Sequence, residues 1–265
     1  MLTDQQAKEI ITETVKASLI SFARGALTKK AKFQILDLII PKERKIRSIV
    51  GGLETSLGTT LWEPLAKALA VENGFEVINS KLESPVNMPS NLSNTLQTML
   101  DERKRKNGVY NAQSCHSEIK RVCQTFLTRP IDSFEPAPKG FGVDIWLKKD
   151  DINYFFDTKT VQPNIGNYSK FVEQIINWYA FFYSRYPDQQ AQARIVFPYN
   201  PYNGNFWDKT MGKGKPLERD YEGWVENQFW NFCSGLDNTF SIITDSFNEL
   251  RESRALENDL NSMLT

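Results

Sequence analysis

The chain has 265 residues, of which 40% are hydrophobic and 24% charged, and its 32 basic residues balance its 32 acidic ones. This composition is typical of a globular protein and excludes a collagen, a disordered tail and a disulfide-stapled miniprotein. A protein that only coats nucleic acid is usually strongly basic, so the overall charge gives no support for DNA binding. No apolar run approaches the roughly 20 residues of a membrane helix, and the first residues lack a signal-peptide pattern. We therefore expect a cytoplasmic protein without a membrane partner.

Three cysteines and one histidine limit the available chemistry. Cys115, Cys123 and Cys233 form no CxxC pair and cannot complete a disulfide framework. His116 is the single histidine, which excludes sites built from several histidines. Cys115 and His116 together could bind a metal, but we expect His116 to lie at a solvated helix start. Catalysis must then depend on carboxylates, lysines and hydroxyls.

Hydrophobic spacing predicts the following elements in chain order. The first half holds helices over residues 5–22 (N-cap Thr3 or Asp4), 31–40 (ending before Pro41) and 60–72, then a strand over 75–78. Residues 80–140 are polar and form an insertion with helices near 92–106 and 114–127. Strands follow over 142–147, 152–159 and 193–197, with a helix from its N-cap Ser169 to Tyr186 before the last of them.

This order of elements predicts an α/β (α+β) fold with a mixed sheet flanked by helices. We expect three regions: an N-terminal helical region over residues 1–50, a core over 51–235 with the insertion at about 80–140, and a C-terminal helical tail over 236–265.

Two predicted strands form a hairpin that brings acidic residues together. A turn centred between Asp150 and Asp151 places Asp144 opposite Asp157, with Cβ atoms about 4.5–5.5 Å apart. Alternation puts Lys159 on the same face, together with Trp146 and Phe155, whose pairing indicates packing rather than base stacking. The opposite face, with Val143, Ile145, Leu147, Tyr154, Phe156 and Thr158, is the expected core face.

Opposed aspartates repel, so either exposure to solvent or a bound cation must offset the cost. Oxygen ligands of this kind suit Mg²⁺. Two carboxylates, a lysine and a hard cation are the parts of metal-assisted phosphodiester hydrolysis.

At this point the sequence resembles a known superfamily. Asp144 followed by Asp157-Thr158-Lys159 is similar to the PD-(D/E)XK nuclease signature, with Val143 where a proline often stands. The segment Gly58–Leu65, which carries Glu63, resembles the helix that bears a third acidic residue there. The segments Gly51–Glu63 and Asp157–Asn164 resemble type II restriction endonucleases of the TdeIII group, over about residues 45–235.

The resemblance implies a PD-(D/E)XK restriction-endonuclease-like core and a Mg²⁺-dependent enzyme that cuts both strands of DNA. Asp144 and Asp157 would hold the metal, Glu63 would assist, and Lys159 would orient the attacking water. The implied products carry 5′-phosphate and 3′-hydroxyl ends, and the implied site is a G+C-rich palindrome such as GGNCC. A palindrome is matched most simply by a twofold homodimer, and a DNA methyltransferase would belong to the same system.

Several assignments keep an alternative. A capping box with Thr60 would explain Glu63 without catalysis, and Glu54 is the second candidate for the third acidic residue. The enzyme itself could instead be a repair or junction-resolving nuclease with the same core, or an inactive DNA-binding protein. Discrete plasmid fragments would exclude a structure-selective nuclease.

Basic and polar residues mark the expected DNA contacts, since affinity comes from phosphate contacts and specificity from base edges. The first region runs from residue 198 to 219, and the second is the basic cluster at 103–121. Gln162 and Asn164, which follow the second strand of the hairpin, are expected near the DNA backbone. The full set of candidates is Arg103, Arg105, Gln162, Asn164, Lys209, Lys213, Lys215 and Arg219.

Overall fold

The computed structural model describes residues 2–28, 34–105, 108–160, 165–210 and 217–264. The chain forms two compact units. The helical unit comprises residues 1–73 and 230–265, and the sheet unit comprises residues 74–229. The predicted region boundaries at residues 50 and 235 fall within the helical unit, and the three-region scheme stays a prediction.

The helical unit is built from amphipathic helices whose apolar stripes are buried. Its elements are α1 (Asp4–Thr28), a 3₁₀ turn (Ile35–Leu38), α2 (Pro41–Leu57), a π-helical segment (Gly58–Trp62), α3 (Glu63–Glu72), α9 (Thr239–Ser253) and α10 (Ala255–Leu264). In α1, Ala7, Ile11 and Val15 recur at helical spacing and are buried. Trp62 stacks on Phe247 of α9 with ring centroids 6.2 Å apart.

The N-terminal ends of α1 and α2 can be compared with the predicted helix boundaries. Thr3 caps α1 as predicted, because its hydroxyl accepts from the Gln6 N–H and its own N–H donates to the Gln6 side chain. Pro41 was expected after a helix end, but it occupies the first turn of α2. Proline is tolerated there because its missing N–H would have no helical partner. The predicted helix over 31–40 is wrong for residues 34–40, which contain only the 3₁₀ turn, and residues 31–33 lie outside the described chain.

The sheet unit holds a five-stranded mixed sheet of order β1-β4-β5-β6-β7. Its strands are β1 (Glu76–Val77), β4 (Ile145–Lys149), β5 (Ile152–Thr158), β6 (Gln190–Phe197) and β7 (Gly223–Val225). Strands β1, β4 and β5 pair antiparallel, whereas β5, β6 and β7 pair parallel. The prediction of a mixed α/β sheet protein is confirmed, although the sequence analysis missed β7.

The insertion and the helices complete the sheet unit. A two-stranded ribbon joins β2 (Glu83–Pro85) to β3 (Phe134–Pro136). The helices are α4 (Ser90–Lys104), α5 (Ala112–Gln124) with a 3₁₀ turn (Thr125–Leu127), α6 (Ile165–Arg185), α7 (Phe206–Thr210) and the start of α8 (Asn227–Ser234), whose residues from 230 onward belong to the helical unit. The predicted helices of the insertion are confirmed within two or three residues. Ser169 is not the N-cap of α6, because the helix begins four residues earlier.

The hairpin of β4 and β5 has the predicted register. Ile145 pairs with Phe156, and Lys149 pairs with Ile152 across the turn. Asp150 and Asp151 form that turn with φ values of 49° and 60°. Positive φ at both central residues is the geometry that matches the twist of the flanking strands, and aspartate tolerates it better than most side chains.

Both faces of this hairpin are buried, which corrects the prediction of a single core face. On one face Trp146 and Phe155 pack against Phe182 of α6, with centroids 6.2 and 5.2 Å from its ring. On the other face Phe156 is fully buried and contacts Trp224 and Phe229. The Trp146–Phe155 contact at 5.1 Å is therefore core packing, as predicted.

His116 is half-buried, and the three cysteines are buried. His116 stacks on Tyr179 with centroids 4.1 Å apart and shares a 2.8 Å hydrogen bond with the Tyr183 hydroxyl, so the prediction of a solvated histidine is wrong. Burial lowers the pKa of His116 to about 4, and Lys120 and Arg194 act in the same direction. Cys115, Cys123 and Cys233 are buried free thiols.

A buried ion pair fastens the insertion to the β6–β7 connection. The Arg103 guanidinium at the end of α4 lies 2.6 Å from Glu222 and 3.2 Å from Glu218. The side chains of Arg103 and Glu222 are 4% and 3% exposed. Burial raises the pKa of Glu222 to about 7, while the nearby Arg103 opposes that rise. Removing one member of such a pair leaves a buried charge without its counter-ion, which is strongly destabilising.

We predict that Arg103→Ala lowers the free energy of unfolding by about 3–5 kcal/mol. Without Arg103 the folded-state pKa of Glu222 rises further above its unfolded value, so stability is lost as pH increases through that range. The cost is therefore larger at pH 8 than at pH 6. Urea denaturation at both pH values measures it. The control is the neighbouring, largely exposed Arg105, whose change to alanine should cost within about 0.5 kcal/mol; an equal cost for both variants would contradict the prediction.

Candidate active site

The site is centred on a buried carboxylate near the end of β5. Asp157 is 3% exposed, because β5 is an inner strand between β4 and β6. Its Oδ1 accepts a 2.6 Å hydrogen bond from Lys159 Nζ, and its Oδ2 accepts a 2.7 Å hydrogen bond from the Gln174 side-chain amide. Lys159 Nζ also lies 2.5 Å from Oδ2. The lysine ammonium therefore bridges both carboxylate oxygens.

Asp144 lies beside Asp157 just outside the ladder. The last pair of the hairpin joins Ile145 to Phe156, and Asp144 precedes β4 by one residue. Its N–H donates to the Phe156 carbonyl at 3.1 Å, and its Oδ2 accepts from the Thr158 N–H at 3.1 Å. Because Thr158 directly follows Asp157, the Asp144 carboxylate lies against the backbone next to Asp157, and the hairpin register continued by one pair sets Asp144 opposite Asp157.

Lys159 leaves β5 toward solvent while its backbone stays fixed. Its N–H donates to the Val196 carbonyl of β6 at 2.9 Å, which continues the parallel ladder by one residue. Its side chain is 31% exposed, and its Nζ lies 5.6 Å from the centre of the Phe171 ring. A flexible ammonium with one end in solvent can leave Asp157 for another anion, such as a phosphate.

Three donors offset the repulsion of the two aspartates in this structure. They are the Lys159 ammonium, the Gln174 amide and the Thr158 N–H. The sequence analysis had considered only solvent exposure or a cation for this task. The protein itself thus stabilises both carboxylates.

Gln174 is the member of the site that sequence reasoning missed. It lies on α6, three residues after Phe171 and four before Trp178, so it belongs to a stripe that is otherwise apolar and buried. A single amide in such a stripe was the signal available in the sequence. Burying an amide costs free energy unless a partner accepts its hydrogen bond, and here the partner is Asp157.

The donor set fits a hard divalent cation. Among the described residues, no group of three or more histidine, cysteine, aspartate or glutamate side chains is placed to hold a metal. Asp144 and Asp157 supply two carboxylates, and Mg²⁺ is commonly held by one or two carboxylates with water completing the octahedron. Asp144 and Asp157 are therefore the residues that would hold it.

Glu63, the predicted third acidic residue, begins α3 of the helical unit. Its side chain is 12% exposed, and its carboxylate lies 3.5 Å from Lys67 Nζ. The alternative of a capping box is wrong, because Thr60 lies inside the π-helical segment and its hydroxyl donates to the Ser56 hydroxyl. Glu54 is exposed on α2. The catalytic role of Glu63 stays a prediction.

The expected DNA contacts divide into three groups. Arg103 is buried in its ion pair with Glu222, so the expectation of a surface contact from this residue is wrong. Arg105 and Arg219 are 68% and 59% exposed and keep the accessibility that a phosphate contact needs. Lys209 lies in α7, with a side chain that is not described, and Gln162, Asn164, Lys213 and Lys215 lie outside the described residues.

No helix in the described ranges combines the length and apolarity that a membrane span requires.

None of the solved structures matches the chain.

Comparison with known proteins identifies similar restriction enzymes. Type II restriction enzyme MjaII from Methanocaldococcus jannaschii is 23% identical over 208 residues, which cover 75% of this chain and 53% of the relative. The chain therefore spans about half the length of the curated relative that it matches. The family model for type II restriction endonuclease HinfI matches residues 3–251, which is nearly the whole chain. This chain therefore belongs to the HinfI family of type II restriction endonucleases.

Proposed function

We propose that the protein is a Mg²⁺-dependent site-specific deoxyribonuclease that hydrolyses phosphodiester bonds in double-stranded DNA. The observation that carries the proposal is the joint placement of Asp144, Asp157 and Lys159 at the open end of the β4–β5 hairpin, in a chain of this family. Two carboxylates and a lysine, together with a hard cation, are the parts of metal-assisted phosphodiester hydrolysis.

Each residue has a distinct part in the proposed chemistry. Asp144 and Asp157 hold the divalent cation, which when bound supplies Lewis-acid stabilisation of charge developing on the phosphate. The Lys159 ammonium leaves Asp157 and contacts the substrate instead. There it orients the attacking water and stabilises negative charge on the phosphate oxygens. The exposed Lys159 stem permits this exchange, whereas the buried Asp157 stays in place. Glu63 assists a metal or water ligand.

The finer features of the proposal come from the sequence resemblance. The target is a short palindrome, G+C-rich and similar to GGNCC, as in the TdeIII-like group. The described chain holds one set of Asp144, Asp157 and Lys159, so cutting both strands of a palindrome calls for a second copy related by a twofold axis. We further propose a PD-(D/E)XK core, a cytoplasmic location and a DNA methyltransferase in the same system.

Asp157→Asn should abolish cleavage while the fold and specific DNA binding survive. The substitution keeps the shape but removes the charge that holds the cation, so we expect the cleavage rate to fall at least about 100-fold. Plasmid digestion with Mg²⁺ measures cleavage, and a gel shift with Ca²⁺ measures binding. Discrete wild-type fragments are expected, because the proposed enzyme reads a sequence.

The matched control is Asp151→Asn at the tip of the same hairpin, where the carboxylate is fully exposed and cleavage should be unchanged. Full cleavage by purified, folded Asp157→Asn would end the proposed assignment of the site.

Lys159→Ala should also stop cleavage, but by loss of the positive charge near the phosphate. Since Lys159 neutralises the aspartates, its removal should lower the melting temperature of the metal-free protein. Added Mg²⁺ should then raise that temperature more than in the wild type, because a ligand that binds only the folded state stabilises it. Thermal unfolding with and without Mg²⁺ measures both effects.

Lys148→Ala, on the exposed end of the same hairpin, serves as the control and should behave as wild type. Equal metal stabilisation of Lys159→Ala and wild type would refute the view that the lysine occupies the place of the cation.

Lys213→Gln with Lys215→Gln tests the proposed DNA contact in the segment between α7 and β7. Each lost phosphate contact should reduce the slope of log affinity against log salt by about one. Fluorescence anisotropy with a duplex containing the site, at several salt concentrations, gives that slope. Arg219→Gln extends the test to an exposed residue of the same region. Unchanged affinity and slope in all three substitutions combined would remove this region from the DNA interface.

A further inference from the structure

Gln174 contacts the reaction centre without having any chemistry of its own. Its amide Nε2 donates to Asp157 Oδ2 at 2.7 Å, and the residue is 9% exposed. Its neighbours on α6 are apolar: Phe171, Ile175 and Trp178 are almost fully buried. An apolar side chain would pack well at this position, so packing alone does not explain why an amide is found here.

The two oxygens of Asp157 are held in different ways. Oδ2 is bonded by Gln174, which lies on a 21-residue helix and is only 9% exposed. Oδ1 is bonded by Lys159, whose side chain is 31% exposed and has a flexible stem. Lys159 also reaches Oδ2 at 2.5 Å, but its departure would leave Oδ2 bonded to Gln174 while Oδ1 becomes available. The carboxylate therefore has one fixed oxygen and one exchangeable oxygen.

We propose that Gln174 is a positioning residue that holds Asp157 through Oδ2 and so presents only Oδ1 to the cation. This proposal rests on the proposed function. An amide bonded to Oδ2 opposes binding of a cation by both oxygens of the same carboxylate. Mg²⁺ requires near-ideal octahedral geometry with ligands at about 2.0–2.1 Å, whereas Ca²⁺ accepts two oxygens from one carboxylate and a looser shell. Gln174 therefore selects Mg²⁺ over Ca²⁺.

The length and neutrality of the side chain explain why the residue is a glutamine. The donor to Asp157 comes from α6, so its side chain must extend from the helix to the sheet. A long neutral side chain does this without adding charge. A glutamate would add a third carboxylate beside the two aspartates, and a lysine would compete with the cation. A neutral donor bonds Asp157 Oδ2 without adding a charge that would repel the cation.

The test is metal binding to the full-length protein without DNA, measured by isothermal titration calorimetry with Mg²⁺ and with Ca²⁺. Gln174→Met keeps nearly the same volume but removes the donor. We expect the Mg²⁺ affinity of this variant to fall about 10- to 100-fold, and the Ca²⁺ affinity to change less than about threefold. The concentration of Mg²⁺ that gives half-maximal cleavage should rise by the same factor, with a smaller change in the rate at saturating Mg²⁺.

Two further variants keep the test decisive. The control is Asn177→Met on the same helix. The Asn177 amide donates to the Glu173 carbonyl one turn away, and its loss should leave both affinities unchanged. Gln174→Asn keeps an amide that is one methylene too short to reach Asp157, and it takes the place of Gln174→Met if that variant does not fold.

The outcomes separate the two proposals. If folded Gln174 variants lose Mg²⁺ and Ca²⁺ affinity by the same factor, or lose neither, then Gln174 is only a packing residue and the positioning proposal is overturned while the nuclease proposal stands. If the wild type binds neither cation and cuts no DNA, the proposed function itself fails. A Mg²⁺-selective loss with a normal melting temperature supports the positioning role.

Discussion

The burial of the Asp157 carboxylate is the constraint on which the arrangement of the site depends. A charged carboxylate that is 3% exposed is costly unless donors surround it, and the structure provides a lysine ammonium and a glutamine amide at 2.6–2.7 Å. These donors come from different elements, Lys159 from the end of β5 and Gln174 from α6. The packing of α6 on the sheet therefore fixes both the fold of this unit and the geometry of the site.

Two buried ion pairs in the sheet unit illustrate different uses of the same interaction. Arg103 and Glu222 are 4% and 3% exposed, so neither ion can exchange partners with solvent, and the pair fastens the insertion. Asp157 is equally buried, but its partner Lys159 is 31% exposed. Unequal burial leaves the carboxylate enclosed and the ammonium partly in solvent. The Arg103–Glu222 pair therefore stabilises the fold, whereas the Asp157–Lys159 pair belongs to the proposed active site.

The sheet supports this arrangement by its mixed pairing. Antiparallel pairing with β4 brings Asp144 next to Thr158, and parallel pairing with β6 holds the Lys159 backbone against Val196. Strand β5 is thus restrained on both edges at the point where the side chains of the proposed site leave it. Such restraint is what holds catalytic groups close to a productive geometry.

The sequence alone was sufficient to predict the β4–β5 hairpin and the placement of Asp144, Asp157 and Lys159 along it. The alternation of β4 and β5 and the two-residue turn at Asp150–Asp151 are local, so the register that brings Asp144 to Asp157 could be derived from the order of residues. The same holds for the Thr3 cap, which depends on contacts within a single helical turn. The restriction-endonuclease resemblance was also carried by local segments, and the match over residues 3–251 confirms the family.

Other features were decided by tertiary structure because they depend on contacts between elements distant in sequence. Arg103 reads as part of a basic surface cluster, yet a partner 119 positions away draws it into the interior. Gln174 reads as one polar residue on an amphipathic helix, and only the packing of α6 on the sheet places its amide on Asp157. Both faces of the hairpin are buried because helices and strands from elsewhere cover them, which no pattern within the hairpin encodes. Local periodicity determines which side chains share a face, whereas the assembled fold determines what each face meets.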